Sequence, residues 1–327
     1  MEIIINNQDQ ILLGMLQSEF PMTREPYAEM GRRLNVSDNE TRQIIGRLKT
    51  SDLVRTIGPV LNPALLGYQT TLVATAVDST GMDNAARLLN DHSAVSHAYE
   101  REHHYNLWFT LALPEGTDIN SEIEQIRRDI GAEVAFALPA RKLFKLRTHF
   151  GIKGGASETG VRNAPDVKHG PVSLSGEARK IINTLQQDLP LITRPFAEMA
   201  VQAGMDEEEF LAGCRALLNN GVMRRFGAAI NHRRAGYVAN GMTCWEAPQD
   251  KIESAAALLA SLSAVSHCYE RETNPLWKQN LFAMIHGYSK AECQEIADKV
   301  SAEIGLTECT ILFSTKELKK KRVKYQV

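Results

Sequence analysis

Two decapeptides decide the architecture of this chain: SAVSHAYERE at Ser93–Glu102 and SAVSHCYERE at Ser263–Glu272, identical but for one position. The matches extend outward in the same order. REPYAEM (Arg24–Met30) answers TRPFAEM (Thr193–Met199), and VRTIGPVLNPALLGY (Val54–Tyr68) answers MRRFGAAINHRRAGY (Met223–Tyr237). Downstream, Asn106-Leu107 answers Asn280-Leu281, after a short insertion in the second copy. A repeat of this length is too long for a solenoid and marks duplication and fusion of one unit. Between the copies, GIKGGASETGVRNAPDVKHGPV (Gly151–Val172) is rich in Gly, Pro and polar residues and reads as a linker.

Within copy one, helical periodicity runs over Gln8–Glu19, Pro26–Leu34 and Ser37–Thr50, with Ser37 as a natural N-cap. A short extended wing, Leu53–Val60, follows. Next come a strand (Gln69–Val77), a helix (Met82–Asn90), two strands (Ala94–Arg101, Tyr105–Leu113), a helix (Ile119–Ile130) and a last strand (Ala132–Leu138). The fold class is therefore α+β: a tandem duplication of a winged helix-turn-helix and a ferredoxin-like βαββαβ sandwich. The expected domains are 1–66 and 67–150 in copy one, linker 151–172, then 173–235 and 236–327, with the second sandwich closing at Phe313.

Composition excludes several classes. The 327 residues carry a net charge of −2, with 43% hydrophobic and 23% charged residues, so no long-range field draws the chain to nucleic acid. The start, MEIIINNQDQ, lacks a basic n-region, and no apolar run is long enough to span a membrane. Five cysteines without CxxC spacing fit reduced thiols. A cytoplasmic protein is expected.

Strand alternation places His97, Tyr99 and Arg101 on one face, and His267, Tyr269 and Arg271 on the equivalent face of copy two. A single such row suits a solvated outer sheet, but its presence in both copies points to a site or an interface. Copy two adds Arg224, Arg225, His232, Arg233, Arg234, Tyr237, Asn240 and Trp245 within one short segment. Paired arginines around a histidine suit a ligand with several carboxylates, which the guanidinium fork matches. Trp277, Asn280 and Phe282 come from the neighbouring strand; its aromatics fit a flat ring or an ordinary core.

A winged helix followed by βαββαβ resembles the Lrp/AsnC transcription regulators, so DNA binding is the first function to weigh. Gln8–Thr50 holds six basic and six acidic residues, and Glu177–Gly221 four basic and seven acidic. The second candidate recognition helix opens on MDEEEF (Met205–Phe210). Phosphate contacts need lysines and arginines there, and specific DNA binding is not expected.

RRFGAAINHRRAGYVANGMTCW, SHCYERETNPLWKQNLFAMIHG and the closing STKELKKKR are similar to the siroheme decarboxylases, an enzymatic offshoot of the Lrp/AsnC fold. The resemblance covers essentially the whole chain, each half matching one family subunit. It implies removal of two acetate carboxyls from siroheme to give 12,18-didecarboxysiroheme, in heme d1 or alternative heme b biosynthesis. It also implies catalytic histidines at His232 and His267. Arg225, Arg233, Arg234 and Arg271 would hold carboxylates. Tyr237, Tyr269, Asn240, Trp245, Trp277 and Asn280 would complete the substrate site. No cofactor and no protein metal are expected, since the iron belongs to the substrate. The two halves would pair as a pseudo-dimer, with further association left open.

Copy one has Pro63, Ala64 and Leu65 in place of His232, Arg233 and Arg234, and Thr56 in place of Arg225. Copy two is thus expected to hold the chemistry, with His97, Tyr99, Arg101 and His104 contributing across the interface. The basic C-terminal tail reads as a solvated extension. A ligand-sensing regulator of the Lrp/AsnC type and a non-catalytic tetrapyrrole carrier are the alternatives.

Overall fold

The computed structural model describes residues 5–146, 170–231 and 239–327. Copy one opens with α1 (Asn7–Ser18), α2 (Pro26–Leu34) and α3 (Asp38–Thr50). Local chemistry sets their ends. Asn6 and Asp9 exchange side-chain bonds at the start of α1, and Ser37 and Glu40 do the same for α3. Pro26 begins α2, and Asn35, in the left-handed region at φ 55, ends it. The wing is β1 (Val54–Leu61). The sandwich then runs β2 (Tyr68–Ala76), α4 (Met82–Asp91), β3 (Val95–Arg101), β4 (Leu107–Pro114), α5 (Ile119–Asp129) and β5 (Val134–Leu146). Copy two repeats the order: α6 (Gly176–Leu185), α7 (Pro195–Ala203), α8 (Glu207–Asn219), β6 (Met223–Ile230), β7 (Ala239–Trp245), α9 (Ile252–Ser261), β8 (Val265–Arg271), β9 (Leu281–Gly287), α10 (Lys290–Ile304) and β10 (Cys309–Lys320). Residues 151–169 of the expected linker lie outside the described residues; at its end, the Val172 N–H donates to the Leu65 carbonyl at 3.1 Å.

The two helix-turn-helix units are fused into one body. Their wings pair antiparallel, β1 with β6, placing Gly58 opposite Gly227. A Cβ on Gly227 would lie 2.4 Å from the Leu16 carbonyl oxygen, so only glycine lets the end of α1 rest on the other copy's wing. One apolar core runs through both units, with Phe20 and Phe226 rings 5.1 Å apart. Charged side chains of the candidate recognition helices are spent across this junction: Lys49 meets Asp188 at 2.7 Å, and Arg24 meets Glu208 at 3.3 Å.

The sandwiches are joined more closely than the sequence pattern suggests. Val134–Pro139 of β5 pairs with β2, but from Ala140 onward the same strand pairs with β8 of copy two. In mirror fashion, Cys309–Phe313 of β10 pairs with β7, and from Ser314 it pairs with β3 of copy one. Eight strands thereby close a barrel in the order β10-β3-β4-β2-β5-β8-β9-β7. The expected strand ends at Leu138 and Phe313 fall eight and seven residues short of the observed Leu146 and Lys320. Pro139 and the lysines that follow imitate the end of a strand, yet they belong to its crossing half. The basic tail is accordingly only in part a solvated extension: Lys316, Lys321 and Lys324 are exposed, but the stretch to Lys320 is strand. Buried Lys319 donates to the Leu89 and His92 carbonyls at the C-terminus of α4, and Lys145 donates to Leu262 at the end of α9. Beyond the strand, Arg322 reaches the Gly227 carbonyl at 3.4 Å.

Helices α4 and α5 cover the outside of one sheet and α9 and α10 the other, each over its own apolar layer. A further apolar cluster, Ala74, Trp108, Phe136, Leu138, Met242, Cys244, Trp277, Phe282 and Leu312, draws on both halves and fills part of the barrel interior. No described helix is long and apolar enough to cross a membrane.

A candidate active site inside the barrel

Register assigns the repeated polar row to the barrel interior. Tyr99 stands opposite Trp108 and Tyr269 opposite Phe282, both members of the interior cluster, whereas Ala98 and Cys268 stand opposite Phe109 and Ala283 of the outer layers. His97, Tyr99 and Arg101 therefore face His267, Tyr269 and Arg271 across one lumen. A solvated outer face is excluded.

The arginines anchor the deep end. Arg101 Nη1 donates to the Leu312 carbonyl at 2.7 Å, and Arg271 Nη1 to Leu138 at 2.9 Å, each tying its strand to the other copy's last strand. The Arg271 guanidinium lies 4.7 Å from the Tyr269 ring centre and 5.5 Å from that of Phe282. An aromatic plug closes this end: Trp277 packs on Trp108 at 5.2 Å and on His103 at 5.4 Å, centre to centre.

Toward the other end, His97 and His267 are desolvated, and both lie in the field of Lys320; His267 also feels His97. Burial is the main cause and nearby positive charge the second, Lys320 and Arg55 for His97 and Lys320 and Arg271 among others for His267; each imidazole is lowered to about 4. Both rings are thus neutral at pH 7. Burial raises the pKa of Tyr269, while Arg271 and then Arg224 pull against it.

A bulge refines the simple alternation. Val265 pairs with Ile285 and His267 with Met284, leaving Ser266 extra; Ser96 is extra in the same way between Val95 and His97. Each displaced serine turns its hydroxyl to its neighbour's imidazole, with Ser266 Oγ 2.6 Å from His267 Nδ1 and Ser96 Oγ 2.9 Å from His97 Nδ1. In copy two the same hydroxyl also lies 2.7 Å from Nε2 of His286. Asn240 stands opposite His286 on β7, so it joins this interior row.

Other expected site residues are placed elsewhere. Trp245 follows the outward alternation of β7. It is fully buried beneath α10, where its indole donates to Ser301 at 2.8 Å, so it does not wall the lumen. Asn280 spends its amide on the backbone of Ala247, accepting at 2.8 Å and donating at 2.9 Å. Asn106 does the same for Val77, which explains the repeat of this residue structurally. Arg225 is drawn into the helical body, donating to the Gln17 carbonyl at the end of α1. Its exposed neighbour Arg224 lies on the side of Tyr269 instead. His104 is exposed on the β3–β4 loop, and it is His103 that touches the other copy. Trp277 faces inward but as part of the plug. His232, Arg233, Arg234 and Tyr237 lie outside the described residues.

The halves differ at the lumen mouth. Glu317, opposite Tyr99, holds Arg55 at 2.7 Å and accepts from the Tyr99 hydroxyl at 3.5 Å. The position opposite Tyr269 is Leu143, which leaves the side of Arg224 without that carboxylate. Among the described residues no group of three His, Cys, Asp or Glu side chains is arranged to hold a metal ion.

The family model for the AsnC-like ligand binding domain matches residues 65–145 and 234–319, and that for the siroheme decarboxylase NirDL-like HTH domain matches 9–55 and 178–224. A siroheme decarboxylase of Hydrogenobacter thermophilus is 36% identical over 98% of this chain and 96% of its own. A siroheme decarboxylase NirDL subunit of Paracoccus pantotrophus is 30% identical over 95% of each. The crystal structure of the siroheme decarboxylase NirDL in co-complex with an iron-uroporphyrin III analogue superposes with a TM-score of 0.72 at 32% identity, covering 98% of this chain and 95% of that one. With both halves matched in order and along nearly its full length, the chain belongs to the siroheme decarboxylases.

Proposed function

We propose that the chain removes two acetate carboxyls from siroheme, giving 12,18-didecarboxysiroheme, without redox chemistry. The observation that carries this reading is the convergence of two His–Tyr–Arg rows, one from each half, on a single lumen with apolar and aromatic walls. A flat macrocycle fringed with carboxylates is matched by such walls and by the cations at the mouth, Arg224 and Lys320. Arg233 and Arg234, outside the described residues, are further carboxylate-binding candidates on sequence grounds alone.

In each step the bond between the exocyclic carbon and the carboxylate breaks, and its electron pair stays on that carbon, delocalised into the ring. Carbon dioxide leaves, and one proton completes a methyl group. His267, half-buried in the lumen, is the proton donor, with His232 as its sequence-assigned partner. Tyr269 and Arg271 orient the reacting acetate from the deep side. His97, Tyr99 and Arg101 complete the opposite wall, so the pseudo-dimer of halves forms one site. The macrocycle reorients between the two losses. Siroheme carries the iron, and the chain supplies binding and protons. The pathway is heme d1 biosynthesis or the alternative heme b route.

The regulator alternative loses support from the fused helix-turn-helix body, whose recognition-helix charges are engaged between the halves. Specific DNA binding is not part of the function. Anaerobic incubation with siroheme followed by mass spectrometry tests the reading: successive loss of two carbon dioxide masses supports it. Tight binding with unchanged substrate mass refutes it in favour of a carrier.

A further inference from the structure

Among the described residues, the hydrogen-bonded chain His267–Ser266–His286 has no counterpart in copy one. By register, Ala112 of β4 holds the position of His286, and Thr70 that of Asn240, so Ser96 meets His97 with no second imidazole behind it. In copy two the bulge hydroxyl is within 2.6 Å of one imidazole and 2.7 Å of another. A hydroxyl has one proton to give. When His286 donates to Ser266 from Nε2, Ser266 donates to His267 Nδ1, and His267 must carry its own proton on Nε2, toward the lumen. We propose that His286 is a positioning and proton-relay residue, acting through Ser266 to keep His267 in the tautomer that delivers a proton to the substrate carbon.

The proposal rests on the decarboxylase reading and on His267 as donor. Its physical need comes from the neutrality of His267, which burial holds at about 4. A neutral imidazole that surrenders its Nε2 proton becomes an imidazolate unless Nδ1 is protonated in the same step. Here Ser266 supplies that proton, takes one from His286 Nε2, and His286 Nδ1 takes one from water. One carbon–carbon bond breaks, one carbon–hydrogen bond forms, one solvent proton is consumed, and no residue changes charge. His286 is 5% exposed and its Nδ1 is itself buried, so the proton reaches that nitrogen through a water admitted beside the ring and not from open solvent. Afterwards both rings stand in the opposite tautomer. The reverse passage resets them, with His267 Nε2 refilled from water in the lumen and His286 releasing a proton outward. Copy one, lacking the second imidazole, has no such supply behind His97.

The test uses the full chain under anaerobic conditions with siroheme, comparing His286→Ala, His286→Gln and Ser266→Ala. His286→Gln retains a polar group of similar reach but cannot pass a proton from one ring nitrogen to another. The relay predicts a fall in kcat of about 10- to 100-fold in all three, with KM within about twofold. It also predicts that added imidazole partly restores His286→Ala, where a ring-sized space is opened, but not Ser266→Ala. Wild-type kcat in His286→Gln, or no rescue of a folded, siroheme-binding His286→Ala, overturns the proposal. Inactivity of the unmodified chain would strike the function itself. An active chain indifferent to these substitutions would strike the relay alone.

Discussion

Replacing Leu143 by glutamate should weaken substrate binding without disabling the chemistry. Leu143 lies opposite Tyr269 as Glu317 lies opposite Tyr99, and Glu317 binds Arg55 at 2.7 Å. The substitution copies that arrangement onto the other wall, so the new carboxylate engages Arg224 and faces an incoming polyanion. Two unit charges 4 Å apart interact by about 4 kcal/mol at an effective dielectric of 20. Arg224 is exposed, and ion pairs at such sites are worth nearer 1 kcal/mol. A net loss of about 1–2 kcal/mol corresponds to roughly a 5- to 30-fold rise in Kd. The assay is anaerobic siroheme titration and steady-state turnover for Leu143→Glu beside Leu143→Gln, which has the same shape without charge. The penalty should shrink as salt is raised. If the two variants bind siroheme equally, the asymmetry of charge at the mouth has no bearing on recognition.

His267→Ala should leave siroheme bound but lower kcat by about 100-fold or more, and His232→Ala should accumulate substrate or the singly decarboxylated product, both read by mass spectrometry. Burial holds His97 and His267 at about 4 and His286 at about 3, against about 6.5 for a free imidazole. Between those values the unfolded chain binds more protons than the folded one, so stability rises with pH. It is complete above pH 6.5 and is lost as the pH falls toward 4. Tm should therefore drop on acidification through that window, and less steeply in His267→Gln; parallel Tm curves would contradict the assignment. Trp245→Ala should cost about 3–5 kcal/mol of stability yet leave the KM for siroheme unchanged, since the indole packs under α10 and not in the lumen.

The duplication, the fold class and the His–Tyr–Arg row were legible because local signals agree with the final fold: caps, turn residues and period-2 alternation each act over a few residues. What escaped reading depends on partners far along the chain. Nothing local says that Lys142 and Lys145 continue a strand, because the strand they pair with is more than a hundred residues away. Without that crossing, the row looks like one side of an open sheet. With it, two rows become the lining of a barrel. For Asn280 and Trp245 the sequence misleads for a related reason, since repetition and proximity to a motif cannot separate a backbone clamp or a core indole from a ligand contact. For Trp245 a signal was available: the alternation applied to β8, carried onto β7, turns it outward.

A duplicated barrel offers two equivalent walls, and one proton donor per carboxylate would be the symmetric solution. The chain has kept the symmetric parts that build the lumen, namely the bulged serines, the inward arginines and the capping lysines Lys145 and Lys319. It has broken symmetry where charge and protons are handled: Glu317 against Leu143 at the mouth, and Ala112 against His286 behind the serine. Both differences act in the same sense. They pair the cation on the copy-one wall with a carboxylate, whereas Arg224 on the other donates to the neutral Asn62 amide at 3.0 Å. They also give a second imidazole only to the wall of Arg224. Two independent substitutions that favour one wall are what a single site working twice requires, because a macrocycle bound equally well in both orientations across the lumen would place half of its reactive acetates against the histidine without a supply. If exchanging both features, with Glu317→Leu, Leu143→Glu, Ala112→His and His286→Ala together, fails to move the proton-donating role from His267 to His97, then the asymmetry is incidental and the two walls act alike.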